Sequence, residues 1–326
     1  MDPSFPPFLS SYEHATAQNL TQSSYVNARF KRDNGLGGTH VLWWQPQFGE
    51  MKTLLFFIPG NPGLVDFYIP FLSAVHAGQA SPDFAIVAQA HLDHFPSIRN
   101  VGARYTAGES LAVQVQSALE LLDAIVAWSA RKIRVVLVGH SVLKSRPQVV
   151  DAVFLLFPTI SNIGDTPNGR ALYPIFFPFP RWIISNASRL ARLIPARVLA
   201  LLYSTWPKEQ LAVLRDFISS PTSVAASLSM AHEEMKIIRD LDLPLLEQHR
   251  RKLFFYYAEH DGWVGQEKAH VLATMRDLAP SDADWEARTV AHGASGIPHA
   301  FCISHSDPVA KQCCLWLNSL TDATAQ

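Results

Sequence analysis

The chain has 326 residues, of which 48% are hydrophobic, and its formal net charge is -1 at pH 7. This composition suffices for a sizeable hydrophobic core, and the near-zero charge argues against a nucleic acid or another polyanion as partner. The three cysteines, Cys302, Cys313 and Cys314, have neither metal-ligand nor disulfide-framework spacing, so we expect no metal site and a reducing compartment.

Short apolar runs along the chain predict β-strands at residues 39–45, 52–58, 84–90, 133–138, 152–157, 252–258 and 285–291. Most are apolar throughout rather than alternating, which indicates a sheet covered on both faces. An amphipathic helix is predicted within residues 109–132, with its apolar stripe at Leu111, Val115, Leu119, Leu122 and Val126. A late helix is expected at residues 308–320. The alternation predicts an α/β fold with a mostly parallel sheet.

From residue 161 to residue 248 the strand signals stop, and prolines divide the sequence into short helical segments. We therefore predict one α/β domain over residues 1–326, with a helical cap inserted at residues 161–248. Residues 170–206 are strongly apolar, but Arg181, Arg189, Arg192 and Arg197 interrupt every run that approaches the ~20 residues of a spanning helix. The pattern is typical of a helix lying in a membrane surface and equally of a cap that closes over a site; one element could do both.

The sequence "VVLVGHS" ends an apolar strand and places Gly139 two residues before Ser141. In a nucleophile elbow the serine occupies a strained strand-to-helix turn, and small neighbours let its hydroxyl project into the site. The alternative is an ordinary strand that ends at a turn. The position after a core strand and beside His140 favours the elbow, so we predict Ser141 as a catalytic nucleophile.

An acid and then a histidine should follow such a serine along the chain. Asp261 comes just after an apolar run and is better placed than Glu259, and His299 follows the last predicted strand. Each alone has an ordinary explanation, but the order of strand and serine, strand and aspartate, strand and histidine favours a triad. His292 and His305 are weaker alternatives for the base.

Acyl transfer also needs backbone N–H groups that bind an oxyanion. The loop "IPGNPGLVDFY" follows an early strand, and its glycines, Gly60 and Gly63, permit close approach of the backbone. We expect the N–H of Asn61 to be one donor, because Pro62 has none, and the N–H of Val142 to be the other. A connecting loop with no catalytic role is the alternative for this segment.

Five segments together resemble the lipid droplet-associated hydrolase family of α/β-hydrolases: "IPGNPGLVDFY", "LVGHSV", "LLFPTISNIGDTPNGR", "FYYAEHDGWV" and "IPHAF". The resemblance runs from about residue 54 to residue 301. It implies Ser141 as nucleophile, Asp261 as acid and His299 as base, with no cofactor. It also implies a cytosolic protein bound to lipid droplets or the endoplasmic reticulum, acting on a lipid or sterol ester.

The link from Leu143 to Asp151 is all that separates Val142 from the next predicted strand. A parallel crossover takes at least about ten to twelve residues, so nine residues can span a strand at ~3.3 Å each but leave no room for a normal helix. Leu143 also stands where the elbow pattern has its second glycine, so we expect its side chain to crowd a tight turn. In an ordinary elbow, the N–H groups at the start of the helix that follows the serine lie beside the oxyanion. Because the short link leaves no room for that helix, we predict a damaged elbow with weak or absent activity.

We interpret the short link as a deletion in a serine hydrolase, by alternative splicing, a misassigned exon boundary or real loss. A natural short-elbow variant with full activity is the alternative. For function, the first hypothesis is a serine ester hydrolase at the lipid droplet surface. The second is a non-catalytic protein of the lipid droplet surface that retains the hydrolase fold.

Overall fold

A computed structural model describes residues 5–12, 24–32, 36–98, 100, 108–129, 132–139, 141–278, 282 and 284–322, with the backbone alone for Ser141 and Asp322. Within these residues the strands are β1 (Leu9–Ser11), β2 (Val26–Lys31), β3 (Gly38–Trp44), β4 (Thr53–Phe57), β5 (Phe84–Gln89), β6 (Arg134–Val138), β7 (Val150–Leu156), β8 (Leu253–Tyr257) and β9 (Val290–His292). They form one sheet in the order β1-β2-β3-β5-β4-β6-β7-β8-β9.

The helices of the described residues are α1 (Ile69–Ala77), α2 (Ser110–Trp128), α3 (Ser141–Ser145), α4 (Pro167–Phe176), α5 (Pro178–Ala187), α6 (Ala196–Leu202), α7 (Lys208–Ile218), α8 (Pro221–Ile237), α9 (Leu243–His249), α10 (Glu267–Asp277), α11 (Trp285–Thr289) and α12 (Ser306–Asp322). Short 3-10 helices lie at Val65–Tyr68, Ile163–Asp165, Ser188–Leu193 and Arg250–Lys252.

The sheet is parallel from β5 through β4, β6, β7 and β8 to β9, while β1, β2 and β3 add antiparallel strands at one edge. Its central strands are buried on both faces, as expected of parallel sheets. One core cluster includes residues of α1 and α12, and the other includes residues of α2, α3 and α10. The predicted α/β class with a mostly parallel sheet is confirmed.

The first six predicted runs overlap β3 to β8, but the seventh prediction, a strand at residues 285–291, is largely wrong. Residues 285–289 form α11, and only Val290–His292 is a strand. The buried residues Trp285 and Thr289 are four apart, and the Thr289 hydroxyl donates to the Trp285 carbonyl over 2.7 Å, a helical spacing. Strand β2 was missed, although Ala28 and Phe30 alternate with more exposed neighbours.

Helix α2 buries a face that differs from the predicted stripe. Leu119 and Leu122 are buried as predicted, but the buried face also includes the polar side chains of Gln114 and Ser117. Ser117 Oγ accepts hydrogen bonds from Arg32 Nη2 over 2.7 Å and from Gln89 Nε2 over 2.6 Å. Among the described residues α2 is the one helix long and apolar enough to cross a membrane, yet it lies against the core.

Between β7 and β8 the described chain is helical, from the 3-10 helix at Ile163–Asp165 through α4 to α9. Prolines begin these helices: Pro167, Pro178 and Pro221 are first-turn residues of α4, α5 and α8. Proline suits this position because its missing N–H needs no intrahelical acceptor there. The apolar segment at residues 170–206 is thereby divided into short helices.

Candidate active site

The turn after β6 joins a strand to a helix within three residues. Gly139 has φ +129°, a backbone conformation that a residue with a side chain rarely adopts, and α3 begins at Ser141. His140 lies outside the described residues. Helix α3 ends at Ser145, two residues before Pro147, so a single helical turn follows the predicted nucleophile.

The short link closes the sheet, as the sequence predicted. Strands β6 and β7 pair in parallel, with a register shift between Val135 and Val136. Asp151 Oδ2 accepts a hydrogen bond from the Val135 N–H over 2.8 Å. Lys252 Nζ donates to the carbonyls of Pro147 and Val150 over 2.8 and 2.6 Å, which fixes the return into β7.

Leu143 does not crowd the turn, and that expectation was wrong. Its side chain is 1% exposed and packs with Val142 in the core cluster that contains α2. Arg146, just beyond α3, forms a bidentate ion pair with Asp123 of α2 at 3.0 and 2.8 Å. Lys144 forms an ion pair with Asp242 at 2.8 Å. The single turn is therefore held from both sides, because its apolar residues face inward and its charged residues face outward.

Asp261 and His299 are brought together directly. The Nδ1 atom of His299 donates to Asp261 Oδ2 over 2.8 Å. Asp261 Oδ1 accepts hydrogen bonds from the N–H groups of Trp263 and Val264 at 2.8 and 3.2 Å, and its side chain is 6% exposed, against 36% for His299. The carboxylate is thus oriented by its own turn. Glu259 is exposed and does not contact His299.

The imidazole of His299 lies at the carboxyl edge of the parallel strands. Its ring contacts Phe157 edge-on, with centroids 5.9 Å apart, and lies 6.5 Å from the ring of Trp263. Phe157 directly follows β7, the neighbour of β6, and has φ +50°. The carboxyl ends of β6, β7 and β8 therefore bring the start of α3, Phe157 and Asp261 to one edge. The alternatives His292 and His305 do not bond to Asp261.

The loop after β4 turns tightly. The Gly63 N–H donates to the Gly60 carbonyl over 2.8 Å, and Gly63 has φ +76° with no room for a Cβ, which would lie 2.3 Å from the ring of His91. His94 Nδ1 donates to the Pro62 carbonyl over 2.6 Å. Burial lowers the pKa of His91 to about 3 and that of His94 to about 4, so both imidazoles support the loop in the neutral form.

One predicted oxyanion donor, Asn61, lies on the loop after β4, and the other, Val142, lies at the start of α3. No described residue accepts a hydrogen bond from the Asn61 backbone N–H. Val142 is the second residue of α3, so its N–H lies in the first turn, where no intrahelical acceptor exists.

Contacts from the helical segment to these loops were missed by sequence reasoning. Asn61 Nδ2 donates to the Ser227 carbonyl over 2.9 Å and to Glu234 Oε2 over 3.2 Å, both on α8. Gln210 Nε2 of α7 donates to the carbonyls of Phe67 and Cys302 over 3.1 and 3.2 Å. No local pattern signals such pairs, since the partners are 92 to 173 positions apart.

Two carboxyl groups near the Asn61 loop have unusual acidity. Burial, with the charge of Asp216 as a smaller cause, raises the pKa of Asp66 to about 7. Burial is also the main cause that raises the pKa of Glu234 to about 7. Both groups are therefore partly protonated near neutral pH, and their ionised forms are destabilised by loss of water.

The profile of the family described as "Lipid-droplet associated hydrolase" matches residues 51–302. The chain belongs to this family. A family relative from Mus musculus, "Lipid droplet-associated hydrolase", is 26% identical over 298 residues, which cover 85% of this chain and 88% of the relative. Relatives of the same description from Homo sapiens and Drosophila melanogaster are 27% and 26% identical and cover 78% and 89% of this chain, and 81% and 95% of their own lengths.

Solved structures agree on the fold of this family member. A peroxisomal α/β-hydrolase of Saccharomyces cerevisiae superposes with a TM-score of 0.61 at 10% identity, covering 97% of this chain and 88% of the yeast chain. An epoxide hydrolase of Vigna radiata gives 0.55 at 12% identity, covering 92% and 99%. The chain is a hydrolase-family member with the α/β-hydrolase fold.

Proposed function

We propose that this protein is a serine hydrolase that cleaves a hydrophobic lipid or sterol ester through Ser141, His299 and Asp261. The observation that carries the proposal is the 2.8 Å hydrogen bond from His299 Nδ1 to the buried Asp261 carboxylate, whose other oxygen accepts two backbone hydrogen bonds. This bond fixes the imidazole tautomer, so that Nε2 is free to take the serine proton.

In the proposed reaction, His299 Nε2 removes the Ser141 hydroxyl proton while Oγ bonds to the ester carbonyl carbon. The carbonyl electron pair moves onto oxygen, then returns as the ester C–O bond breaks, and the leaving alkoxide takes the proton from His299. Water repeats the sequence on the acyl-enzyme and releases the carboxylic acid. Asp261 stays ionised and stabilises the imidazolium throughout. No metal or organic cofactor takes part in these steps.

The N–H groups of Asn61 and Val142 are the proposed oxyanion donors. Support comes from the Asn61 N–H, which has no acceptor among the residues that the structure describes, and from the position of Val142 in the first turn of α3. Because α3 provides one turn where a longer helix would provide a stronger N-terminal dipole, we expect slow but measurable turnover.

A lipid-facing surface is proposed on the α5–α6 segment. Trp182 and Leu190 are about two-thirds exposed, and Leu193 and Leu201 are 78% and 79% exposed. Further exposed members are Phe177, Phe179, Ile183, Val198 and Leu202. Apolar residues interleaved with Arg189, Arg192 and Arg197, all exposed, suit the boundary between acyl chains and headgroups.

The occupant we propose for this surface is the phospholipid monolayer of a lipid droplet, with the endoplasmic reticulum and cytosol as further locations. The family description and the names of the relatives support the droplet. The same insertion, residues 161–248, is the proposed cap: Gln210 and the Asn61 contacts of α8 tie it to the loops beside the catalytic edge. One element thus serves as cap and as membrane surface.

A second candidate is a non-catalytic protein of the lipid droplet surface. The observation that favours it is the single-turn helix after Ser141, since a weakened elbow leaves the lipid-facing surface intact. The two candidates share the surface and differ in the use of Ser141.

Hydrolysis of p-nitrophenyl esters by purified protein separates the candidates. The serine hydrolase is expected to turn over medium-chain esters, and Ser141→Ala is expected to reduce the rate to the uncatalysed background. Ser145→Ala, an exposed serine on the same helix, is the matched control and should retain the rate. Hydrolysis that is equal in the wild type and Ser141→Ala, or absent from both, would rule out the proposed reaction.

A further inference from the structure

Helix α8 is fastened to the loops of the catalytic edge through two adjacent carboxylates. Glu234 Oε2 accepts from Asn61 Nδ2 over 3.2 Å. Glu233, the preceding residue, is buried. Its carboxylate accepts hydrogen bonds from the N–H groups of Ser110 and Leu111 at the start of α2, over 3.0 and 2.8 Å. Because Glu233 anchors α8 to the body of the fold, the Glu234 carboxylate is held at a fixed place beside the Asn61 loop.

The Asn61 side chain thus forms the hydrogen bonds that join α8 of the helical insertion to this loop. Its amide donates both to Glu234 and to the Ser227 carbonyl, at 3.2 and 2.9 Å. On the far side of Asn61, the loop is held by the His94 bond to the Pro62 carbonyl. The peptide bond that carries the Asn61 N–H is restrained as well, because its carbonyl, that of Gly60, accepts a hydrogen bond from the Gly63 N–H over 2.8 Å.

We infer that Glu234 is a positioning residue: it holds the Asn61 side chain so that the Asn61 backbone N–H keeps facing the oxyanion. The inference rests on the proposed function, because it assigns the purpose of the contact to the ester-cleaving site. Glu234 acts through Asn61 and does not touch the substrate. The consequence is that the seating of α8 on the body of the protein sets the geometry of one oxyanion donor.

The chemistry of the contact determines which substitution should preserve it. Burial raises the pKa of Glu234 to about 7, and a protonated carboxyl still accepts a hydrogen bond through its carbonyl oxygen. A glutamine at this position presents the same kind of acceptor at the same length. Glu234→Gln should therefore preserve the position of Asn61, whereas Glu234→Ala removes the acceptor.

The test compares kcat and KM of Glu234→Ala, Glu234→Gln and the wild type on a soluble short-chain ester. Glu234→Ala is expected to lower kcat at least about tenfold with KM within twofold, because an oxyanion donor acts in the transition state. Glu234→Gln is expected to keep kcat within threefold. The matched control is Glu247→Ala, an exposed glutamate on α9, which should leave both constants unchanged.

Asn61→Ala is the second variant, since it removes the side chain and keeps the backbone N–H. It should reproduce the loss of kcat, and combining it with Glu234→Ala should add little further loss, as expected of two residues that act through one contact. If Glu234→Ala does not fold, wild-type kcat in Asn61→Ala overturns the inference on its own.

Failure of this inference is distinguishable from failure of the proposed function. If Ser141→Ala abolishes hydrolysis and Glu234→Ala retains wild-type kcat, only the positioning role is wrong. Equal losses in Glu234→Ala and Glu234→Gln would also overturn it. If the wild type shows no Ser141-dependent hydrolysis, the proposed function and the positioning role fall together.

Discussion

The two halves of the candidate site are built in different ways. In the acid and base half, one oxygen of Asp261 accepts two backbone hydrogen bonds from its own turn, and the other accepts the hydrogen bond from His299. In the nucleophile half, Ser141 begins a five-residue helix that ends before Pro147. The first half depends on a local turn, and the second depends on a helix packed against α2.

The difference shows that the acid and base half does not depend on the length of the link after Ser141. The Asp261 turn needs only the residues next to it, so the short link after Ser141 leaves it unchanged. Helix α3 is packed in the core on the α2 side, because Val142 and Leu143 are buried there. We therefore expect the rate to be limited at the nucleophile half.

Breaking the acid and base half should have the largest effect. Asp261→Asn is expected to lower ester hydrolysis by about 10⁴-fold, because the amide favours the wrong histidine tautomer. Steady-state rates measure this loss. Glu259→Gln, an exposed acid two residues earlier, is the control and should stay within about threefold of the wild type. Equal losses in the two variants would remove Asp261 from the triad.

Repairing the nucleophile half should raise the rate by a smaller factor. An elbow glycine and a helix of several turns, inserted between Val142 and Val149, are expected to raise the rate of ester hydrolysis by about 10²–10³-fold, the effect of one oxyanion donor. The midpoint temperature of thermal unfolding should also rise, because the new helix covers part of a sheet face. The same insertion in Ser141→Ala should gain stability and no activity. A repaired protein no faster than the original would show that the single turn suffices.

Membrane binding should be separable from both halves. The double variant Leu193→Glu with Leu201→Glu places charges on the lipid-facing surface and is expected to reduce the droplet-bound fraction at least about tenfold, with hydrolysis of soluble esters retained. Flotation with artificial droplets measures this fraction. Leu315→Glu, on an exposed position of α12, is the control. Unchanged flotation of the double variant would place the lipid contact elsewhere.

Replacing Asp66, behind the Asn61 loop, should change stability to an extent that depends on pH. The folded pKa of Asp66 is about 7, above its ordinary value of 3.8, so the wild type loses stability as pH rises through this interval. Asp66→Asn has no carboxyl to ionise. The unfolding free energy of this variant, relative to that of the wild type, should therefore increase by on the order of 3 kcal/mol from pH 4 to pH 8. Urea unfolding at both values measures it. A constant difference would contradict the assigned pKa.

Sequence patterns located the features that local rules determine. The order of strands and loops was sufficient to place Asp261 and His299, because the carboxyl ends of parallel strands meet at one edge. The apolar runs predicted β3 to β8, because strands buried on both faces of a sheet are apolar along most of their length. What could not be predicted depends on distant partners: the buried face of α2 follows its hydrogen bonds to Arg32 and Gln89, and the Asn61 contact with Glu234 joins residues 173 positions apart.

The direction of Leu143 is the instructive error. Its type, read against the elbow pattern, indicated steric conflict at the turn, since a glycine is expected there. In the structure one helical turn rotates the side chain toward the core, where it is fully enclosed. A residue pattern specifies which atoms are present at a turn, and the packing around it decides where they point.

The most direct measurement is covalent labelling with a fluorophosphonate, followed by mass spectrometry of the peptides. The central claim is that Ser141 is activated by His299 and Asp261 despite the short helix. It predicts slow formation of an adduct on Ser141, at a rate that falls to background in His299→Ala and is unchanged in Ser145→Ala. An adduct on another serine, or Ser141 labelling that His299→Ala leaves intact, would contradict the claim.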